Sequence, residues 1–163
     1  MRRLILFLLV SCLFLSGCSV IGERIKEPVS FYYVREDYQK SMEQVILSEV
    51  REAAGHRDDL PYLLALYSMG PTSEELVSPF PKNTRMIPIT RTEGSMELSL
   101  SDNALILTDA EFTLAGACIA KTCMELTGVQ QVTIVCGDRQ INIRNDNLLL
   151  YSDMIENPQE EIK

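Results

Sequence analysis

The chain has 163 residues, enough for one domain with a buried core, and a second domain is not expected. Its hydrophobic content of 46% is ordinary for a globular domain, and its formal net charge is −8, from 23 acidic and 15 basic residues. This acidity opposes nucleic-acid binding and electrostatic attraction to anionic lipids, so no nucleic-acid partner is expected.

The amino terminus has the pattern of a secretory signal. Two arginines after Met1 are followed by an almost purely apolar run, Leu4 to Leu15, and then by Leu-Ser-Gly and Cys18. The run has 12 residues, whereas a membrane-spanning helix needs roughly 20. A secretory signal of this kind is removed from the mature protein.

A cysteine directly after Leu-Ser-Gly resembles the processing site of bacterial lipoproteins. The resemblance implies that Cys18 carries a diacylglyceryl group, that residues 1–17 are removed, and that residues 18–28 tether the domain to the lipid. Loss of the two signal-peptide arginines lowers the formal charge from −8 to −10. Two acyl chains give stable anchoring where one is marginal, so lipid instead of charge would hold the protein to the membrane. The alternative is an ordinary signal peptide with an incidental cysteine.

The first elements of the domain are a strand, an ambiguous segment and a helix. Val29–Arg35 is rich in aromatic and β-branched residues, which predicts a strand. The segment around Val45–Val50 fits both a helical spacing and a strand, and the pattern leaves both open. Asp58 and Asp59 before a Leu-Pro pair predict a helix start. The inner face of this helix is predicted to contain Leu60, Leu63, Leu64 and Tyr67.

A rigid connector follows this helix, from Gly70 to Thr84. Gly70 and Pro71 end the helix, because glycine tolerates a positive φ and proline cannot continue the helix. Ser78-Pro79-Phe80-Pro81 holds the chain extended, since each proline fixes its own φ and restricts the residue before it. The apolar pair Leu76-Val77 lies between these points, so the connector is expected to pack on the domain, with Phe80 in the core.

Two strands are predicted after the connector. Met86–Ile89 is apolar and contains Pro88, which cannot donate to a strand ladder, so this strand should lie at a sheet edge or carry a bulge. Gly94-Ser95 is expected to turn the chain. Met96, Leu98 and Leu100 then alternate with polar residues, the pattern of a half-buried strand.

A long helix and a hairpin complete the predicted domain. Thr108 to Glu111 is a capping-box sequence, and apolar residues then follow a 3.6-residue period up to Gly128. Val129–Cys136 is predicted to be a strand, joined by a type II′ turn at Gly137-Asp138 to a strand over 140–144. Leu148–Tyr151 is expected to dock on the domain, and residues 152–163 form an acidic tail. The class is therefore α+β, with two helices packed on one face of a small mixed or antiparallel sheet.

Several of these segments together resemble the GerMN domain of sporulation and spore-germination proteins. The similarity rests on the helix end at Gly70 and Pro71, on Ser78, Pro79, Phe80 and Pro81 in the connector, and on the later Leu-Thr-Gly-Val at 126–129. It covers about Phe31 to Arg144, within a domain taken as 29–151. The resemblance implies that Val45–Val50 is a strand and that the fold is similar to the ring-building motif of channel proteins. One departure is Ser99, where the family usually has an aspartate.

The resemblance also implies a function. GerMN domains are regarded as non-catalytic modules that assemble or position envelope complexes during sporulation, and the family includes lipoproteins. By this reasoning the protein is held through Cys18 on the outer face of the cytoplasmic membrane. It would bind other envelope or sporulation proteins without a cofactor. The edge strand Met86–Thr90 beside the Pro79–Pro81 arm is the predicted surface for such a partner.

Residues suited to catalysis or metal binding are sparse. His56 is the only histidine and lies in a polar turn, so a solvated loop role is expected. Cys118, Cys123 and Cys136 are expected to be buried apolar side chains. A disulfide from the helix to Cys136 is left open, because the protein would be outside the cytoplasm. A zinc site is not expected, because the sequence has no Cys-x-x-Cys pair and no second histidine.

Two alternatives to an interaction module are retained. The first is a small envelope hydrolase that uses His56 as its base. The second is a module that binds a small molecule or glycan of the cell wall by aromatic stacking. The aromatic residues considered for that surface are Tyr32, Tyr33, Tyr38 and Tyr67.

Overall fold

The computed structural model describes residues 26–39 and 44–146. The predicted signal peptide, Cys18, most of the tether, Leu148–Tyr151 and the acidic tail lie outside these ranges. No helix within them is long and apolar enough to cross a membrane. In chain order the elements are β1 (Pro28–Arg35), β2 (Ile46–Glu52), α1 (Leu60–Ser68), β3 (Leu76–Val77), β4 (Met86–Arg91), β5 (Ser95–Leu100), a 3₁₀ helix (Asp102–Ile106), α2 (Asp109–Thr127), β6 (Gln131–Cys136) and β7 (Arg139–Arg144).

The strands form two sheets. The first has the order β2-β1-β3 and is antiparallel, and the second has the order β4-β5-β6-β7 with a parallel pair at β5 and β6. The predicted α+β class is confirmed, although one small sheet was expected and the strands divide between two. The division follows from the connector, which leads the chain out of the first sheet into the second. The ambiguous segment is strand β2, as the family resemblance implied.

Helix α2 packs against both sheets. It contacts β1 of the first sheet and β6 and β7 of the second, and every residue from Ala115 to Ala120 is buried. The predicted 3.6-residue period of apolar residues therefore accounts for only part of the buried surface of α2, since the small residues between them are buried as completely as the large ones. At Gly116 an added Cβ would lie 3.3–3.4 Å from Ile134, Ile141 and Ile143. The small residues let the second sheet approach the helix closely.

Aromatic packing attaches α1 to the first sheet. The ring of Tyr67 stacks on Tyr33 at 4.7 Å between centroids, and the edge of Phe31 meets it at 5.8 Å. The Tyr33 hydroxyl also donates to the Tyr67 carbonyl at 3.0 Å. Tyr67 is thus the residue through which the predicted inner face of α1 joins the core, together with buried Leu63 and Leu64.

Side chains of the two helices provide hydrogen-bond partners for the backbone on the free edge of β1. β1 pairs with β2 along its length but with β3 only at its carboxyl end. On the uncovered side, the Tyr32 N–H donates to Thr122 Oγ1 of α2 at 3.0 Å, and the Tyr32 carbonyl accepts from the Tyr67 hydroxyl at 3.0 Å. Two side chains therefore replace a missing strand neighbour and provide partners for part-buried backbone groups.

The predicted helix ends are present. Asp59 caps α1 by accepting from the Tyr62 N–H, and Thr108 and Glu111 form the predicted capping box of α2. Gly128 ends α2 in the left-handed region, with φ of 76°. These caps satisfy backbone groups that have no partner within the helix.

The predicted hairpin and edge strand are also present. Gly137 and Asp138 join β6 to β7, and the φ of 56° at Gly137 matches the first central residue of a type II′ turn. β4 lies at the edge of the second sheet, and its pairing with β5 shifts between Pro88 and Thr90. Pro88 thus combines both features expected of a proline in a strand, an edge position and a bulge.

Candidate interaction surface

The connector begins with a fixed helix end. Gly70 follows α1 with φ of 88°, a conformation that side chains rarely adopt, and Pro71 after it is half-buried. Arg51 on β2 donates from its guanidinium to the Gly70 carbonyl at 3.0 Å. The end of the helix is therefore tied to the first sheet by a charged side chain.

Glu49 holds the next residues of the connector. Its carboxylate accepts from the Thr72 N–H at 2.8 Å, from the Thr72 hydroxyl at 3.0 Å and from the Ser73 N–H at 3.0 Å. Its side chain is almost buried, and Arg51 Nε lies 3.8 Å from it. The sequence analysis did not identify Glu49 and Arg51, because their role depends on which face of β2 meets the connector.

The Pro79–Pro81 arm is stiffened by Ser78, which precedes it, and is anchored by Phe80. Ser78 Oγ accepts from the Phe80 N–H at 3.3 Å and donates to the Phe80 carbonyl at 3.2 Å. The Phe80 side chain is buried, as predicted, and meets the Tyr67 ring edge-on at 6.5 Å. Pro79 and Pro81 flank it and remain half-exposed. The motif residues therefore anchor the arm while leaving its prolines accessible.

An apolar groove of about 370 Å³ lies between this arm and the start of α2. On its rim Val77 is 38% exposed and Ile106, from the 3₁₀ helix, is 78% exposed. The sequence analysis assigned no role to Ile106, because its exposure depends on the turn of the 3₁₀ helix. The lining residues are Val34, Tyr38, Val77, Ser78, Pro79, Phe80, Pro81, Ile106, Leu107, Glu111 and Leu114.

The predicted edge strand provides a second exposed apolar area. Ile87 and Ile89 of β4 each expose about half of their surface. The bulge at Pro88 interrupts the regular ladder here, which makes continuous pairing with another strand unfavourable. Side-chain contacts are therefore the more suitable mode of recognition at β4.

His56 lies in a surface turn, as expected. Its ring stacks on Tyr62 at 4.0 Å, and Nδ1 lies 3.7 Å from the Asp59 carboxylate. About half of the His56 side chain and half of the Asp59 side chain are exposed. The contacts of His56 are thus with the amino-terminal turn of α1, where Asp59 is the helix cap.

The three cysteines of the domain are buried and unpaired with one another. Burial raises the pKa of Cys123 to about 12 and also raises the pKa of Cys118, where nearby Lys121 acts in the opposite direction. The Cys136 thiol lies 3.6 Å from the Ser101 carbonyl, to which it donates. Neutral buried thiols behave as small apolar side chains. Within 26–39 and 44–146 no group of three His, Cys, Asp or Glu residues is arranged to hold a metal ion.

The tyrosines considered for glycan stacking are mostly engaged within the protein. Tyr33 and Tyr67 are fully buried, and burial raises the pKa of both hydroxyls. Arg51 partly opposes this shift at Tyr33. The Lys121 ammonium lies 4.7 Å from the centre of the Tyr32 ring. Tyr38 lines the apolar groove.

Comparison with known proteins gives a family match and a structural likeness. Residues 30–141 match the family model Germane, described as sporulation and spore germination. No functionally curated protein matches the sequence.

Two solved structures of a Bacillus subtilis protein are similar to this chain. The tandem GerMN domains of the sporulation protein GerM align with a TM-score of 0.49 and 17% identity, covering 76% of this chain and 43% of the tandem structure. The first GerMN domain of GerM aligns with a TM-score of 0.47 and 10% identity, covering 69% of this chain and 86% of that structure. The chain thus spans less than half of the tandem structure.

Proposed function

This chain belongs to the Germane family of sporulation and spore germination proteins, and from that membership we propose that it is a non-catalytic, membrane-anchored interaction module. In this role it binds another envelope protein through the apolar groove between the Pro79–Pro81 arm and Ile106. The domain is then an assembly component, and its architecture serves to present that groove.

The observation that carries the proposal is the contrast within the connector. Phe80 is buried and fixed against Tyr67, whereas Val77 and Ile106 expose apolar surface to solvent. A contiguous exposed apolar area is typical of a binding surface, whereas single exposed apolar residues are ordinary. The rigid connector supports this use, because a groove held in one shape loses little conformational entropy on binding.

The proposed anchor places the groove near the membrane. In this proposal Cys18 carries the acyl chains, and β1 begins at Pro28. A fully extended link of this length reaches at most about 35 Å. The partner would therefore be a membrane protein or a protein bound close to the membrane surface. The acidic charge of the chain makes lipid acylation, and not electrostatic attraction, the source of this attachment.

The contacts of the nucleophilic and basic groups support a non-catalytic role. The Cys118 and Cys123 thiols are buried and kept protonated, whereas a reactive cysteine is accessible and has a lowered pKa. His56 contacts Asp59 and the Tyr62 ring. The buried thiols thus contribute to the core, and His56 contributes to the start of α1.

The proposal is tested in a spore-forming host that lacks this chain. The wild-type gene should restore spore formation or germination and place the protein in the membrane fraction. Cys18→Ala should move the protein to the soluble fraction, and retention in the membrane would contradict the anchor. Ile106→Asp should remain in the membrane but fail to restore sporulation. Met69→Asp is the matched control, since Met69 is 79% exposed and outside the groove.

A further inference from the structure

Two exposed cations just before β4 have no partner in the described part of the chain. The structure gives the side chains of Lys82 and Arg85 no hydrogen bond and no ion pair within residues 26–39 and 44–146. Four other arginines each lie beside a carboxylate of the chain, namely Arg35, Arg51, Arg139 and Arg144. The charges of Lys82 and Arg85 are therefore available to an anionic partner outside the chain.

The backbone that carries these two cations is fixed. The Lys82 carbonyl accepts from the side-chain amide of Asn103 at 3.2 Å. The Arg85 N–H donates to Ser101 Oγ at 2.9 Å, and the Arg85 carbonyl accepts from the Ser101 N–H at 3.0 Å. Binding of an anion therefore needs only the ordering of two side chains, and not the ordering of a loop.

Arg85 shares a face of the second sheet with two exposed isoleucines. Pro88 pairs with the fully buried Leu98 and therefore faces the core. Because side chains alternate along a strand, Arg85 and Ile87 face the opposite side. Ile89, the extra residue of the bulge, is exposed to the same extent as Ile87. A cation beside exposed apolar side chains is the combination that lies at the headgroup boundary of a bilayer.

The charge of this segment is opposite to that of the whole chain. Residues 76–92 contain Lys82, Arg85 and Arg91 and no acidic residue, whereas the chain has a net charge of −8. At physiological salt, charges are screened beyond about 8 Å. The surface that touches a membrane therefore decides the local attraction, although the acidity of the whole chain opposes attachment by charge alone.

The acidic groups of the neighbouring segments leave the two cations free. Glu97 pairs with Thr90, about 16 Å along the strand from Arg85. Glu93 and Asp102, both within the described ranges, form no ion pair with either cation. The basic end of this surface is thus the end next to the Pro79–Pro81 arm.

We propose that the surface formed by Lys82, Arg85, Ile87 and Ile89 lies on the membrane. The two cations contact the phosphates of anionic phospholipids, and the two isoleucines enter the headgroup boundary. This inference rests on the proposed function in one respect, since the tether brings the domain to the bilayer. The tether supplies the attachment and a high effective concentration, so a weak contact is enough to set how the domain faces.

The position of this surface favours a membrane over a partner strand. The bulge at Pro88 interrupts the ladder on the β4 edge, whereas contact with lipid needs only side chains. Lys82 directly follows the Pro79–Pro81 arm, which borders the apolar groove. An orientation set by Lys82 and Arg85 therefore holds the groove beside the membrane surface.

Quenching of a single tryptophan by brominated lipids tests the proposal. The chain has no tryptophan, so Ile89→Trp places one probe on the surface. Val50→Trp is the control, because Val50 is similarly exposed and pairs with Ser30 near the start of β1, where it reports proximity from tethering alone. The mature chain is coupled through its Cys18 thiol to a maleimide lipid, and the cysteines of the domain are buried. The readout therefore does not require native acylation.

Vesicles of brominated phosphatidylglycerol should remove at least about half of the fluorescence of the probe at position 89, because interfacial apolar side chains lie about 5–10 Å deep. The probe at position 50 should keep most of its fluorescence. Brominated phosphatidylcholine should quench position 89 much less, because it lacks the net negative charge. Absence of quenching at position 89, or equal quenching at both positions, would overturn the proposal.

Charge reversal at two arginines separates this surface from general attraction. Arg85→Glu should weaken the contact at position 89 at least about fivefold, since one basic residue near an anionic membrane favours contact by that factor. Arg144→Glu makes the same change in charge at the opposite edge of the second sheet and should leave the quenching unchanged. Equal effects of the two variants would overturn the proposal. Retention of Cys18→Ala in cell membranes would contradict the native anchor alone.

Discussion

Glu49 and Thr72 are joined by two hydrogen bonds, since the Glu49 carboxylate accepts from the Thr72 N–H at 2.8 Å and from its hydroxyl at 3.0 Å. These residues belong to different parts of the fold, β2 and the connector. The contact shows how the connector is attached to the first sheet before it leads into the second. Buried carboxylates with several hydrogen bonds are stabilising only while all of their partners are present.

Removal of this carboxylate should loosen the connector. Glu49→Ala leaves the N–H groups of Thr72 and Ser73 without their acceptor and Arg51 without its nearby charge. We expect the free energy of unfolding to fall by about 2–4 kcal/mol, measured by urea denaturation. Glu52→Ala, at an exposed position on the same strand, should change it by less than about 0.5 kcal/mol. Equal effects of the two variants would contradict the role of Glu49.

Phe80 and Val77 should respond differently to a charge. Phe80→Glu buries a carboxylate against Tyr67 and removes the anchor of the arm, so a loss of at least about 3 kcal/mol is expected in the free energy of unfolding. Val77→Glu, at a partly exposed position in the groove, should lower it by less than about 1 kcal/mol. Unchanged thermal stability of Phe80→Glu would show that Phe80 is not part of the core.

The hydrogen bond between Thr122 and the Tyr32 N–H on the free edge of β1 can be tested with two threonines of α2. Thr122→Val removes the acceptor of the Tyr32 N–H and should lower the free energy of unfolding by about 1–3 kcal/mol. Thr113 makes a similar hydroxyl contact within the helix, to the Asp109 carbonyl, but is more exposed. Thr113→Val should therefore lower the free energy of unfolding by less than about 0.5 kcal/mol. A comparable loss in both variants would contradict the role of Thr122 at the β1 edge.

The buried thiols should make folding sensitive to alkaline pH. The pKa of Cys123 is raised to about 12 from 9.0, so the folded state retains a proton that the unfolded state loses above pH 9. The stabilising contribution is therefore complete below pH 9 and is lost as pH rises from 9 towards 12, with a slope of about 1.4 kcal/mol per pH unit. Cys123→Ala should reduce the slope of unfolding free energy against pH in this window. An unchanged slope would contradict the burial of the thiol.

Local sequence signals predicted much of the fold. The capping residues Asp59 and Thr108, the turn glycines and Pro88 each act through the backbone of their own segment, so their effect can be predicted without knowledge of the tertiary structure. The assignment of β2 required the family resemblance, because its apolar residues fit two periods. The prediction of one sheet was incomplete, because the number of sheets depends on contacts between strands that are distant in the sequence.

The surface was harder to predict than the fold. Phe80 was placed in the core from its position between two prolines, and it is buried. Glu49 and Arg51 were missed because a charged pair on a strand usually faces solvent, and only the packing of the connector reverses this. Ile106 was missed because its exposure arises from the 3₁₀ helix that follows β5.

Photo-crosslinking in native membranes tests the groove most directly. A crosslinking amino acid is placed at Ile106 or, as a control, at Met69, which is equally exposed but outside the groove. The proposed function predicts a defined adduct with one envelope protein from position 106, absent from position 69 and lost when Val77→Asp is added. Adducts of the same pattern from both positions, or an adduct unaffected by Val77→Asp, would contradict recognition through the groove.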